Sequence, residues 1–203
     1  MRPTARWAVM IATLCLAACQ RPHPAPPSAR DMAMGSPAAP VTVIEYASVA
    51  CPACASFNNA VFPAFKARYV DTGKVRWILR EALTGDTALA AAGFLTAHCA
   101  GKDKYFSVVD DMFHAQSQMF SSGNPEPSML EIAGRAGLTP AQFQACIRDP
   151  AALAAIEARW REAERREGVR QTPTFVVNGR VYQGALTGPE LDGAVARAQG
   201  AKL

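Results

Sequence analysis

The chain has 203 residues, of which 50% are hydrophobic and 19% charged, and its formal net charge is +4. This apolar content excludes a disordered chain, and the presence of a single apolar run near membrane length excludes a multi-span membrane protein. The small positive charge gives no support for nucleic-acid binding, which needs a concentrated basic patch. Six cysteines are too few for a disulfide scaffold and too many to leave unexplained.

The N-terminus predicts a lipoprotein signal peptide over residues 1–18. Two arginines precede an apolar run at 7–18 that is short for a spanning helix and typical of a signal peptide. The run ends in Leu-Ala-Ala-Cys, which resembles the lipobox of bacterial lipoproteins, so we expect cleavage before Cys19 and a lipid on its thiol. Cys15 would leave with the signal peptide. Ordinary cleavage without lipid and an uncleaved anchor are the alternatives. The prediction is a periplasmic protein anchored by lipid, where disulfides persist.

Residues 19–40 predict an extended tether, because their proline-rich composition cannot bury a core. We expect the folded domain to occupy residues 41–200. Its first strand, at 41–47, is rich in β-branched and aromatic residues, as a buried strand should be. A helix is predicted from Cys51, and Pro63 should kink it or divide it in two.

The middle of the domain is predicted to be a helical insertion of about residues 85–168. A second strand at 75–79 precedes the insertion, and the insertion itself contains no convincing strand. Helical spacing, interrupted by glycine and proline, divides it into segments at 86–100, 102–119, 128–136, 140–147 and 150–167.

Strands return after the insertion. Residues 174–177 predict a third strand, Asn178-Gly179 a two-residue hairpin turn, and residues 180–182 a fourth strand. A capping box from Thr187 to Glu190 then begins the last helix.

The candidate chemistry lies in the sequence Cys51-Pro-Ala-Cys54, which follows a strand and begins a helix. The unpaired N–H groups and the dipole of a helix start stabilise a thiolate, so Cys51 is the predicted nucleophile and Cys54 the resolving thiol. Half of a zinc site is the alternative, but it needs a second closely spaced pair of ligands, and Cys99 and Cys146 lie far apart in the sequence. With no phosphate loop, His-Glu-x-x-His motif or nucleophile elbow, we predict no cofactor and no metal ion.

The strand, the C-P-x-C at a helix start, the helical insertion and Thr172-Pro173-Thr174 before a β-hairpin together resemble the DsbA-like thiol:disulfide oxidoreductases of the thioredoxin superfamily. The resemblance covers roughly residues 35–200 and implies an α/β protein, a thioredoxin fold with an inserted helical subdomain. It also implies that the Thr172-Pro173 bond is cis and lies beside the redox pair, where its backbone groups bind substrate. An ordinary trans proline is the alternative.

Glu45 is the only charged residue in the first strand, and the resemblance implies a buried acid there that moves the proton of Cys54. A glutamate exposed at a sheet edge is the alternative. Many family members have a histidine where Ala53 stands, and it stabilises the first thiolate. Without it we expect a less depressed pKa for Cys51 and a less oxidising disulfide, which leaves the direction of electron flow open.

Cys99 and Cys146 lie in two different predicted helices of the insertion. Four cysteines without lipid resolve into a catalytic pair and this second pair, so we expect a structural disulfide. A second redox relay and two separate thiols are the alternatives.

The resemblance implies an enzyme that introduces disulfides into exported proteins and is reoxidised by a membrane partner of the DsbB or vitamin K epoxide reductase type. A disulfide reductase or isomerase is the alternative within enzymes. Family isomerases usually carry a separate dimerisation domain before the first strand, and the tether found there favours a monomer. A protein that uses the C-x-x-C to deliver copper or zinc is the alternative from another class.

Overall fold

The computed structural model describes residues 25–200, and the predicted signal peptide and the lipid site at Cys19 lie outside the described residues. Within that range no helix is both long and apolar enough to cross a bilayer. The strands are β1 (Met32–Met34), β2 (Val41–Ala47), β3 (Val75–Glu81), β4 (Thr174–Val177) and β5 (Arg180–Gln183). The helices are α1 (Pro52–Ala60), α2 (Phe62–Phe65), α3 (Thr87–Cys99), α4 (Lys102–Ser122), α5 (Glu126–Arg135), α6 (Pro140–Ile147), α7 (Pro150–Arg166) and α8 (Gly188–Gly200), and a π-helical turn (Lys66–Val70) continues α2.

The five strands form one sheet in the order β1-β3-β2-β4-β5. Strand β2 lies at its centre, parallel to β3 and antiparallel to β4. The parallel pair requires a crossover, which α1, α2 and the π-helical turn provide. Apolar side chains alternate along β2, so that Val43 belongs to the cluster under α1 and α8 while Ile44 packs with Trp160 of α7 on the other face.

The tether predicted for residues 19–40 is wrong for its last part, because residues 32–34 form β1. This strand pairs antiparallel with β3 at the sheet edge. Immediately before it, the Asp31 carboxylate accepts hydrogen bonds from Nε and Nη2 of Arg80 at 2.9 and 3.1 Å. A strand of three residues lacks a periodic pattern, and only the edge of β3 gives it a partner.

The local signals at helix and turn boundaries are present where the sequence predicts them. The predicted first helix is divided, since α1 ends at Ala60 and α2 begins with Pro63 in its first turn. Asn178 and Gly179 both adopt positive φ, as a two-residue turn between antiparallel strands requires. These features depend on residues that are close together in the sequence, and local sequence patterns can therefore predict them.

Helices α3 to α6 form a cap whose core continues beneath the redox pair. Phe94, Met112 and Phe143 are fully buried in the same apolar cluster as Cys54. A disulfide joins Cys99, the last residue of α3, to Cys146 in α6, with 6.2 Å between the two Cα atoms. It closes a loop that contains α4 and α5, and it therefore ties the two ends of this cap together.

A buried ion-pair cluster connects the cap to the sheet at the end of β3. The Glu81 carboxylate accepts from Arg159 Nη2 at 3.2 Å and from Tyr105 Oη at 3.1 Å, and it lies 2.7 Å from His98 Nε2. Burial alone would raise the pKa of Glu81, but the hydrogen bond to His98 and the charge of Arg159 leave it lowered. The cluster joins α3, α4 and α7 to one strand.

Candidate active site

The redox pair lies where the central strand meets the first helix. Cys51 is the N-cap of α1, with extended backbone, and the Cys54 N–H donates to Cys51 Sγ at 3.3 Å. Cys51 keeps 9% of its surface exposed, whereas Cys54 is completely buried. Both thiols are free. Of the two thiols, only Cys51 is accessible to another protein, as a nucleophile must be.

The pKa values of the two thiols are shifted in opposite directions, downward for Cys51 and upward for Cys54. Hydrogen bonding from the Cys54 thiol, then from Thr172 and the backbone N–H groups of Cys54 and Ala53, lowers the pKa of Cys51 to about 6, against burial that opposes the thiolate. Burial raises the pKa of Cys54 far above its ordinary value, and the hydrogen bond to Cys51 and the charge of Glu45 add to it. At neutral pH the reduced pair therefore carries a thiolate on Cys51 and a thiol on Cys54.

The loop before β4 completes the site. The Thr172-Pro173 peptide bond is cis, as the resemblance implies. The Cys51 thiol lies 3.4 Å from the Thr172 carbonyl oxygen and donates to it. Pro173 is buried, and Thr172 is half-buried at the surface beside Cys51. Backbone groups next to the nucleophile are thus placed where an extended peptide could pair with them.

Glu45 is buried in the centre of the sheet, so the alternative of an edge-exposed glutamate is wrong. It pairs with Leu79 of β3 on one side and Phe175 of β4 on the other, and it is 4% exposed. Its Oε1 has no hydrogen-bond partner. Burial, followed by the charge of Cys51, raises the pKa of Glu45 to about 8, so the carboxyl group holds a proton at neutral pH.

A family model described as thioredoxin matches residues 28–197 of the chain. The chain belongs to the thioredoxin family. A protein of Rickettsia bellii named as a protein-disulfide oxidoreductase is 29% identical over 150 residues, which are 73% of this chain and 57% of that protein. A Bacillus cereus protein named disulfide bond formation protein D is 29% identical over 104 residues, which are 50% of this chain and 48% of that protein. The chain thus spans about half the length of the curated relatives it matches.

Among solved structures, that of Wolbachia pipientis alpha-DsbA1 superposes with a TM-score of 0.78 at 24% identity, covering 86% of this chain and 93% of that one. This likeness confirms the predicted fold, a DsbA-like thioredoxin fold with an inserted helical subdomain.

In this thioredoxin-family chain a cavity of about 310 Å³ lies against the buried acid. Its polar lining consists of Glu45, Asn58, Lys66, Ser107 and Asp110. Lys66 and Asp110 are at the surface, with 41% and 52% of their side chains exposed. The volume and the polar lining are sufficient for several water molecules. The cavity therefore connects the Glu45 carboxyl group with the outside of the domain.

Gln116, which is not among the site residues predicted from the sequence, connects the inserted helices to the redox loop. It is buried on α4, and its Nε2 donates to the carbonyl oxygens of Val49 at 2.7 Å and Cys51 at 3.1 Å. Its position among the buried Met112 and Met119 gives a sequence signal, since a glutamine on the apolar face of a helix requires a partner.

Gln116→Met is expected to destabilise the domain by about 1–3 kcal/mol, because the buried Val49 carbonyl loses its side-chain donor while the volume of the side chain is kept. Urea unfolding of the reduced protein measures the loss. Gln118→Met is the matched control, since Gln118 is exposed on the same helix. Equal unfolding midpoints for the two variants would show that the Gln116 contacts contribute nothing.

Candidate metal ligands at the site are the two sulfur atoms of Cys51 and Cys54. In the chain between residues 25 and 200, no three His, Cys, Asp or Glu side chains are grouped so that they could hold a metal ion. A metal ion at the redox pair would therefore find two cysteine sulfur atoms without a third side-chain ligand from that part of the chain.

Proposed function

We propose that this protein is an extracytoplasmic thiol:disulfide oxidoreductase that introduces disulfides into exported proteins through Cys51 and Cys54. The observation that carries the proposal is the accessible, acidic Cys51 at the start of α1, beside the cis Thr172-Pro173 loop and above the buried Cys54. The names of the relatives from Rickettsia bellii and Bacillus cereus support the same chemistry.

The reaction begins with Cys51 and Cys54 joined as a disulfide. A substrate thiolate attacks Cys51 Sγ, a mixed disulfide forms, and the electron pair of the broken bond leaves on the Cys54 sulfur, which then takes up a proton. The second substrate thiol loses its proton and attacks the substrate sulfur of the mixed disulfide, and Cys51 leaves as a thiolate. The substrate loses two electrons, which the pair gains. The low pKa of Cys51 makes it a good leaving group in this second step.

Glu45 supplies the proton that Cys54 needs. A thiolate on Cys54 is strongly disfavoured by its burial, so it requires a donor inside the protein. The Glu45 carboxyl group holds a proton at neutral pH and interacts electrostatically with Cys54. After transfer, the carboxylate regains a proton from solvent through the cavity that reaches Lys66 and Asp110. The reverse path removes the proton when the pair is reoxidised.

The proposed location is the outer side of a membrane, with lipid on Cys19 and a monomeric domain beyond it. The lipobox-like sequence and the disulfide between Cys99 and Cys146 support this location, because such bonds persist outside the cytoplasm. Turnover then requires a membrane oxidant of the DsbB or vitamin K epoxide reductase type, which takes the two electrons from the reduced pair. Mass spectrometry of the mature protein would show the lipid on Cys19 if this proposal is correct.

The equilibrium of the Cys51–Cys54 pair with glutathione tests the direction of electron flow. We expect a potential more oxidising than about −200 mV, because the acidic Cys51 stabilises the reduced form; strongly oxidising DsbA lies near about −120 mV. A value near the potential of thioredoxin, about −270 mV, would contradict the oxidase and favour a reductase. Cys54→Ala, which should accumulate the mixed disulfide on Cys51, is the control that the exchange passes through Cys51.

Metal analysis of the purified, reduced protein tests the alternative of metal delivery. We expect less than stoichiometric copper or zinc after exposure to either ion and passage through a desalting column. Retention of one equivalent that Cys51→Ser abolishes would support delivery of metal instead.

A further inference from the structure

Residues 25–31, which we call the strap, precede β1 and are fastened to one guanidinium group. The strap contains a turn in which the Ser28 N–H donates to the Asp31 carboxylate at 2.7 Å. The Pro26 carbonyl oxygen, before this turn, accepts from Arg80 Nη2 at 3.0 Å. The Asp31 carboxylate, at the end of the turn, accepts from Nε and Nη2 of the same arginine. Both ends of the turn therefore bind Arg80 of β3.

The strap is attached to the interior of the domain. The other N–H groups of Arg80 donate to Tyr46 Oη of β2 at 2.7 Å and to Glu167 Oε2 at 3.2 Å, so all five donors of the guanidinium have partners. The side chains of Arg80 and Asp31 are only 14% and 9% exposed. A bidentate pair that is shielded from water is stronger than an ion pair at the surface. The strap is therefore a fixed part of the folded domain.

The strap lies at the same end of the sheet as the redox pair. Strand β1 begins at Met32, which is opposite Leu79 near the carboxyl end of β3, and the strap lies beyond this point. The parallel strand β2 ends at the same level, because Ala47 pairs with Glu81, and Cys51 follows shortly after. The other end of the seven-residue strand β2 is about 20 Å away. The strap thus joins the domain at its active-site end.

We propose that the strap holds the active-site end of the domain toward the membrane surface. It leaves residues 19–24 as the linker between the proposed lipid on Cys19 and the docked chain, and six residues span at most about 20 Å. A linker of residues 19–40, as the composition predicts, would reach about 75 Å. The partners that fit the short linker are proteins whose reactive thiol or disulfide lies next to the bilayer. The inference deepens the proposed function and rests on its lipid anchor.

The test measures how well Cys51 reaches a disulfide at the membrane surface. The reduced, full-length lipoprotein is placed in phosphatidylcholine vesicles that contain a phosphatidylethanolamine with a pyridyl disulfide on its headgroup. The Cys51 thiolate attacks the headgroup sulfur, and pyridinethione leaves and is recorded by its absorbance. Cys54 then loses its proton and attacks Cys51 Sγ, which releases the headgroup thiol. This rate is divided by the rate with soluble dipyridyl disulfide, measured on vesicles without the reactive lipid.

A longer linker is expected to lower this ratio of rates. Inserting twelve glycine and serine residues between Pro24 and Ala25 keeps the strap and triples the linker, which should lower the ratio about fivefold. Asp31→Ala releases the strap as far as β1 and about doubles the linker, so a decrease of about threefold is expected. Asp71→Ala is the matched control, because it removes an exposed ion pair with Lys66. The control should keep the ratio, and the rate with the soluble disulfide should be the same in all variants.

A ratio that stays constant as the linker lengthens would overturn the proposal and show that the strap only covers the edge of β3. A ratio that rises would also overturn it, because the strap would then hold Cys51 away from the membrane. Hydrogen exchange shows whether Asp31→Ala acts on the strap alone, in which case the amides of β2 stay protected. If β2 also loses protection, the insertion variant, which leaves residues 25–200 unchanged, decides the outcome.

Failure of the proposed function gives different results. If the protein is a reductase, its potential with glutathione lies near that of thioredoxin while the ratios of the variants keep their order. If Cys19 carries no lipid, the protein does not float with the vesicles, which overturns the proposed location and the role of the strap together. If only the role of the strap is wrong, the protein floats and its potential is oxidising, but a longer linker does not lower the ratio.

Discussion

The free energy of unfolding of reduced Glu45→Gln, relative to that of the wild type, is expected to increase as the pH rises. The pKa of this carboxyl group rises from an ordinary 4.5 to about 8 on folding, because burial disfavours its charge. Below pH 4.5 the group is protonated in both the folded and the unfolded chain. As the pH rises toward 8, the wild-type protein loses stability at up to about 1.4 kcal/mol per pH unit, because folding must retain a proton that the unfolded chain releases.

Glutamine cannot ionise, so the variant is free of this loss. At pH 7 the substitution removes a destabilisation of at most about 3 kcal/mol that comes from retaining the proton. It also introduces a buried amide that lacks hydrogen-bond partners, which costs about 1–3 kcal/mol. The two contributions differ in their pH dependence. The decisive measurement is therefore the free energy of unfolding at several pH values between 5 and 9, in which the difference between variant and wild type should widen up to about pH 8 and then remain constant.

Glu131→Gln is the matched control, because 74% of the Glu131 side chain is exposed. Its stability curve should run parallel to that of the wild type. A parallel curve for Glu45→Gln as well would show that Glu45 is not protonated in the folded protein. Stopped-flow measurement of thiol–disulfide exchange adds a kinetic test. The step in which Cys54 leaves the disulfide and takes up a proton should be slower in the variant. Unchanged rates would remove Glu45 from the mechanism while leaving its effect on stability intact.

Replacing Cys99 and Cys146 together by serine is expected to cost about 4 kcal/mol of unfolding free energy, from the entropy of a loop that spans 47 positions. The bond joins α3 to α6. Its removal increases the conformational entropy of the unfolded chain more than that of the folded chain, and this difference lowers the free energy of unfolding. Urea unfolding of the variant and the wild type, both with Cys51 and Cys54 reduced, measures the difference.

The same variant distinguishes a structural bond from a second redox relay. Because α4 holds the redox loop through Gln116 and is itself buried in the cap, exchange at Cys51 should continue at a normal rate wherever the variant is folded. A variant that keeps its stability but loses exchange would contradict the structural role and indicate a relay. Cys99→Ser alone is the control for an unpaired thiol.

Features of this protein that depend on residues close together in the chain could be predicted from local sequence patterns. The C-x-x-C at a helix start and the Asn178-Gly179 turn are specified within a few positions, because caps and tight turns are satisfied by their own backbone. The cis Thr172-Pro173 bond and the fold followed from a resemblance based on motifs of this kind. Apolar spacing was sufficient to predict the helical segments of the insertion.

The contacts that bring distant parts of the chain together around Cys51 Sγ depend on tertiary packing. Strand β1 exists because the edge of β3 pairs with it, and the burial of Glu45 depends on β2 having a partner on each side. Gln116 reaches the site across 65 positions of sequence. Such contacts have little signature in the local sequence, because the hydrogen-bond partner of a buried polar group depends on tertiary packing and not on the spacing of residues along the chain. The pKa of Cys51 is lowered by hydrogen bonds from Cys54, Thr172 and backbone N–H groups, so its acidity is a property of the folded protein.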